Sequence, residues 1–123
     1  MEKAFENLVN LMGELRGENG CSWDKEQSFE TIKKCVINEA DEVTKAIENK
    51  DYNNLKEELG DLLWNVIFMS KIAEEKGLFD IKDAMEHVKN KIVQRHPHVF
   101  GDEKIDDPEK ANARWNEIKE EEK

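Results

Sequence analysis

Within residues 38–61, NEADEVTKAIENKDYNNLKEELGD, two carboxylate pairs repeat one spacing: Glu39 with Glu42, and Glu58 with Asp61. Residues three apart stack on one face of a helix, so each pair makes a small negative patch. Both cross-pairs, Glu39 with Asp61 and Glu42 with Glu58, are centred on residue 50. Lys50 and Asp51 lie in the polar run 48–54, where the segment is expected to turn. Folded there as two antiparallel helices, the segment brings all four carboxylates to one spot. Such a cluster is costly unless a cation sits between them. The carboxylates also interrupt apolar stripes. Glu39 and Glu42 share a stripe with Ile32, Cys35, Val36, Val43, Ala46 and Ile47, where a purely structural helix would carry Leu or Ala.

The rest of the chain reads as helices around this hairpin. Phe5, Leu8, Val9, Met12 and Leu15 fall at spacings of three and four, an amphipathic helix over residues 2–16. Residues 17–25, GENGCSWDK, read as a loop, with Trp23 giving it a reason to pack down. Ser28 is a candidate N-cap for the helix carrying Glu39. The helix over residues 54–76 is apolar around much of its circumference after Asp61, which suits a central position or a subunit interface. Its longest apolar run, residues 62–69, is broken by Asn65. Gly77 fits the C′ stop. Asp80 is expected to cap a fourth helix, ended by Pro97, and HPHVFGDEKID to connect it to a last helix with Asp107 as N-cap and Pro108 at N1. The tail EEEK is expected to fray. With only two prolines and six glycines and no strand pattern, the expected fold is all-α: a bundle of about five helices with a central antiparallel hairpin.

A chain of 123 residues makes one domain, residues 1–123, with one modest core. The net charge of −10 argues against binding nucleic-acid backbones or anionic membranes, but not against a small anion arriving with a divalent metal. Cys21 and Cys35 form no CxxC pair and have no His at zinc-finger spacing, which suits a reducing compartment. The N-terminus lacks a signal peptide's apolar core and no run is long enough to span a bilayer, so a cytoplasmic location is expected.

Clustered carboxylates without His or Cys are hard oxygen ligands, suited to Mg²⁺ or Mn²⁺ rather than zinc or copper. Mg²⁺ held by carboxylates keeps positions open for water and substrate phosphates, which points to metal-dependent attack by water on a phosphoester or phosphoanhydride. Such a site needs cations for the remaining phosphates. Lys91 and Arg95, four apart on one helix face, lead the candidates, with Arg16, Lys25, Arg114 and Lys119 as ordinary surface charges that also qualify. Trp115 and Lys119, one turn apart, suit stacking on a base and reaching a phosphate, or else Trp115 is a packing anchor. Trp23 and Asp24 are further substrate-side candidates; the alternatives are packing for Trp23, and capping or cation orientation for Asp24. His96 and His98 flank Pro97 and read as turn structure or substrate contact.

GCSWDKEQS, NEADEV, EELGDLLWNVIF and KIVQRHPHVFGD resemble the MazG family of nucleoside triphosphate pyrophosphohydrolases over roughly residues 8–119. The family's EExxE and ExxD motifs fall on Glu39, Glu42, Glu58 and Asp61. The resemblance implies a Mg²⁺-dependent, all-α hydrolase converting an NTP or dNTP to monophosphate and pyrophosphate, with nucleotide-pool housekeeping as its role. Water would attack the α-phosphorus, oriented by one of the carboxylates (Glu39 and Glu42 foremost) or by a neighbouring group. It also implies a homodimer or dimer of dimers, phosphate contacts from Lys91 and Arg95, and nucleotide contacts from Trp115 and Lys119. One departure stands out: Asn38 occupies the first Glu position of EExxE, and an amide can neither act as a base nor carry charge. The competing readings are a non-catalytic nucleotide- or partner-binding module with a degenerate site, and a narrower dUTP or phosphoribosyl-ATP pyrophosphatase.

Overall fold

The computed structural model describes residues 1–123 and is all-α. Five helices of 14 to 24 residues carry the fold: α1 (Glu2–Leu15), α3 (Phe29–Glu48), α4 (Tyr52–Glu75), α5 (Ile81–Gln94) and α7 (Pro108–Glu121). Two short helices, α2 (Ser22–Glu26) and α6 (Pro97–Phe100), lie in stretches whose composition suggested loops. The chain divides into two compact units, Met1–Ile81 and Lys82–Lys123.

The first unit is the α3–α4 hairpin with α1 packed on α4. Ser28 caps α3 through a reciprocal pair of hydrogen bonds with Thr31. The hairpin turns at the expected place. α3 closes with Asp51 N–H donating to Ala46 O at 3.0 Å and Lys50 N–H to Ile47 O at 3.1 Å, the Schellman arrangement. Asp51 then caps α4, its side chain accepting from Asn54 N–H. That cap starts α4 at Tyr52, three residues ahead of the apolar pattern, which only begins at Leu55. Lys50 sits at φ +53°, a left-handed position that costs a residue with a Cβ. Lys50→Gly is therefore expected to stabilise the protein by roughly 0.5–1 kcal/mol net of glycine's entropy, read as a shift in urea midpoint.

Met12, Ile32, Ile67, Phe68 and Ile72 form the buried core, flanked by Phe5, Leu8, Val9, Phe29, Cys35, Val36, Trp64 and Met69. Phe68 is the largest fully buried side chain. Phe68→Ala should lower unfolding stability by about 3–5 kcal/mol in chemical denaturation. α4 carries this core on one side and leaves Leu59, Leu63 and Val66 exposed on another.

The loop after α1 is fastened differently from the expectation. Trp23 does not pack down; it is 58% exposed. Arg16 holds the segment instead, donating to the carbonyls of Asp24 and Gln27, pairing with Glu75 at 2.7 Å and lying over the Phe68 ring. A Cβ at Gly20 would collide with the carbonyl oxygens of Leu15 and Glu14, so the chain can cross the end of α1 only as glycine.

In the second unit, Pro97 opens α6 rather than merely ending α5, with His96 before it outside the helical region. Asp107 and Pro108 start α7 as expected, Asp107 accepting from Glu109 N–H. The acidic tail continues the last helix. α7 runs to Glu121, and Glu122 pairs with Arg95 at 2.6 Å. No helix is long and apolar enough to cross a membrane.

Candidate metal centre

The antiparallel hairpin sets Glu39 of α3 beside Glu58 and Asp61 of α4. One oxygen from each of the three carboxylates lies within 4.8 Å of the others. Glu58 is only 9% exposed, and Oε2 of Glu39 is shielded from solvent with no hydrogen-bond partner. The Glu39 carboxyl is pushed up to about 7, chiefly because its protonated form can hydrogen-bond to Glu58. Desolvation and then the charges of Glu58, Asp61 and Glu42 add to that push. Every one of these influences opposes ionisation, so the three groups are held together against their own repulsion.

The donor set fits a hard divalent cation. It offers only carboxylate oxygens, and the shielded Oε2 is an acceptor that no protein donor satisfies.

Of the four carboxylates expected to converge, Glu42 is not drawn in. Its side chain turns to Lys45 at 3.7 Å, where Lys45 also holds Asp41 at 3.0 Å. Spacing places Glu42 on the right face, but a lysine one turn further on offers its charge a local partner. Beside the carboxylates lies a cavity of about 270 Å³ lined by Cys35, Asn38, Glu39, Asp61, Trp64 and Asn65. Asn38 thus faces the same space as the carboxylates. Trp64 and Asn65 are wall residues that the spacing of acids did not single out; the polar break at Asn65 in an apolar run was the available signal.

Lys91, Arg95, Trp115 and Lys119 all fall in the second unit. Lys91 and Arg95 line one hollow of about 480 Å³ with His87, Asn90, Gln94 and Glu122. Arg95 is 9% exposed and lies over the Trp115 ring at 4.9 Å, while His96 meets that ring edge-on at 5.4 Å. Lys119 is exposed. Arg114 is committed to Glu103 and Glu117, Lys25 to the Glu18 carbonyl, and Arg16 to the clamp described above. A further hollow of about 580 Å³, formed by His98 and residues 101–106, has Asp102, Glu103 and Asp106 against a single Lys104, an unfavourable wall for an anion.

Glu122→Ala should leave the Arg95 guanidinium without its carboxylate and lower stability by about 1–3 kcal/mol, measured by chemical denaturation.

Comparison with known proteins gives one answer. The MazG nucleotide pyrophosphohydrolase domain profile matches residues 27–100. The chain is 44% identical over 120 residues to a protein named nucleoside triphosphate pyrophosphohydrolase from Escherichia coli, covering 97% of this chain and 46% of that one. It is 43% identical over 119 residues to nucleoside triphosphate pyrophosphohydrolase/pyrophosphatase MazG from Thermotoga maritima, covering 97% of this chain and 45% of that one. The chain therefore spans about half the length of these curated relatives. The crystal structure of a mazG-related protein from Thermotoga maritima superposes with a TM-score of 0.77 at 32% identity, covering 94% of this chain and 98% of that one. With profile, sequence and fold in agreement, the chain belongs to the family of the MazG nucleotide pyrophosphohydrolase domain.

Proposed function

We propose that the chain hydrolyses nucleoside triphosphates, NTP or dNTP, to monophosphate and pyrophosphate with the help of Mg²⁺, for which Mn²⁺ can substitute. The observation that carries this is the convergence of Glu39, Glu58 and Asp61 around a buried oxygen without a partner. Those three side chains would hold the ion. Glu42, one turn from Glu39, joins them when it leaves Lys45. A bound divalent ion supplies charge neutralisation and acidifies water.

The chain's own groups supply the rest. Glu39 orients the attacking water and takes up its proton, with Glu42 as the second candidate for that role. Attack on the α-phosphorus forms one P–O bond and breaks the bond to the bridging oxygen, which leaves with pyrophosphate. Lys91 and Arg95 neutralise the departing phosphates, Arg95 exchanging Glu122 for the substrate. Trp115 and Lys119 contact the nucleotide, and Trp23 and Asp24 are the remaining substrate contacts.

The exposed apolar face of α4, with Leu59, Leu63 and Val66 at helical spacing, supports assembly as a homodimer or dimer of dimers. A cytoplasmic nucleotide-pool housekeeping role agrees with such chemistry.

Incubation with each NTP and dNTP plus Mg²⁺ tests the reading. Monophosphate and pyrophosphate are expected in equal amounts. Orthophosphate release would point to another phosphohydrolase, and absence of turnover to the binding-module alternative that Asn38 favours.

A further inference from the structure

The wall of the cavity beside the carboxylates differs from the carboxylates themselves. Antiparallel pairing about residue 50 sets the hairpin in layers: Glu39 with Asp61, then Cys35 with Asn65, then Ile32 with Phe68 in the core. Asn65 therefore lies between the acidic layer and the apolar one. It is 8% exposed, and its Nδ2 has no acceptor in the protein. Burying an amide donor unpaired costs about 1–3 kcal/mol, in a run where Leu would fit. Asn65 is one helical turn beyond Asp61, and it opens on the same cavity of about 270 Å³.

The chemistry of that cavity decides what part of a ligand it takes. Its lining holds two amides, a thiol and an indole beyond the two carboxylates, and no Lys or Arg. Apart from the ion that Glu39 and Asp61 would hold at its edge, this space offers a triphosphate tail no cation. Amide donors and an aromatic surface suit the uncharged part of a nucleotide, its sugar and base.

Resting on the nucleotide-hydrolysis reading above, we propose that Asn65 recognises the nucleoside portion of the substrate. Its Nδ2 donates a hydrogen bond to a sugar hydroxyl or base carbonyl oxygen seated in this cavity. Asn65 is thus a binding and specificity residue, separate from the ion-holding carboxylates.

The test is calorimetric binding, with Mg²⁺ present, of non-hydrolysable α,β-methylene nucleotide analogues and of inorganic triphosphate. Asn65→Leu has nearly the same shape and lacks the donor. It should weaken the preferred nucleotide analogue about tenfold and leave inorganic triphosphate and Mg²⁺ binding within about twofold. Asn65→Ala, which leaves the cavity open, should show the same selectivity. A loss confined to ribonucleotides would identify the sugar 2′-hydroxyl as the acceptor, and a loss that tracks the base would identify a carbonyl. Equal weakening of inorganic triphosphate and nucleotide, or no weakening of either, would overturn the assignment while the hydrolase reading stood. Wild-type protein that binds Mg²⁺ but no nucleotide analogue would bring down both.

Discussion

Glu39→Gln is expected to reduce nucleotide hydrolysis on the order of a thousandfold, the loss of several kcal/mol of metal-centred charge stabilisation. The same substitution is expected to make the metal-free protein more stable than wild type. Glu39 faces Glu58 and Asp61 across the hairpin, and each acts against its ionisation. An amide of the same shape removes one of three repelling charges and adds a donor that a neighbouring carboxylate can accept. Thermal melts without metal should place the variant several degrees above wild type at pH 8. With saturating Mg²⁺ the order should reverse, because only the wild type gains the full binding energy. A variant that loses both activity and metal-free stability would mean that Glu39 serves the fold rather than an ion.

The second large effect is the coupling of metal to pH. The carboxyl of Glu39 rises from an ordinary 4.5 to about 7 in the folded, metal-free chain. The folded state therefore binds more protons than the unfolded state between those values, and stability must fall as pH rises. The contribution is fully present below about 4.5 and is lost as pH rises through about 7. Added Mg²⁺ needs the ionised cluster, so its stabilisation should grow over the same window. At a free ion concentration one hundred times its Kd, the gain is about 2.7 kcal/mol. Melting curves with and without Mg²⁺ at pH 5 and pH 8 should thus show a small shift at the lower pH and a large one at the higher. An equal shift at both values would contradict a site built on Glu39.

The hairpin was legible in the sequence because its evidence is periodic. Two i,i+3 acid pairs centred on Lys50 in apolar stripes determine register, turn and convergence at once, and the structure turns at Asn49–Asp51. What periodicity could not reveal depends on choices among partners. Glu42 has the right spacing, yet Lys45 captures its side chain. Arg95 stands on the same helix face as Lys91, yet in the structure it is held by Glu122, 27 residues on. The tail that supplies Glu122 looked like a frayed acidic end, and nothing local marks it as the partner of a buried guanidinium. Trp23 had the composition of an anchor, while Arg16 supplies the anchoring. Asn65 was visible as a break in an apolar run, but its meaning required knowing that its amide is buried without an acceptor beside the carboxylates.

Hydrolysis of a Mg²⁺–NTP in ¹⁸O-labelled water tests the central claim most directly. Attack on the α-phosphorus predicts that the label enters the nucleoside monophosphate and is absent from pyrophosphate, and that Glu39→Gln suppresses its incorporation. Label in pyrophosphate, release of orthophosphate, or no incorporation from any nucleotide would contradict it.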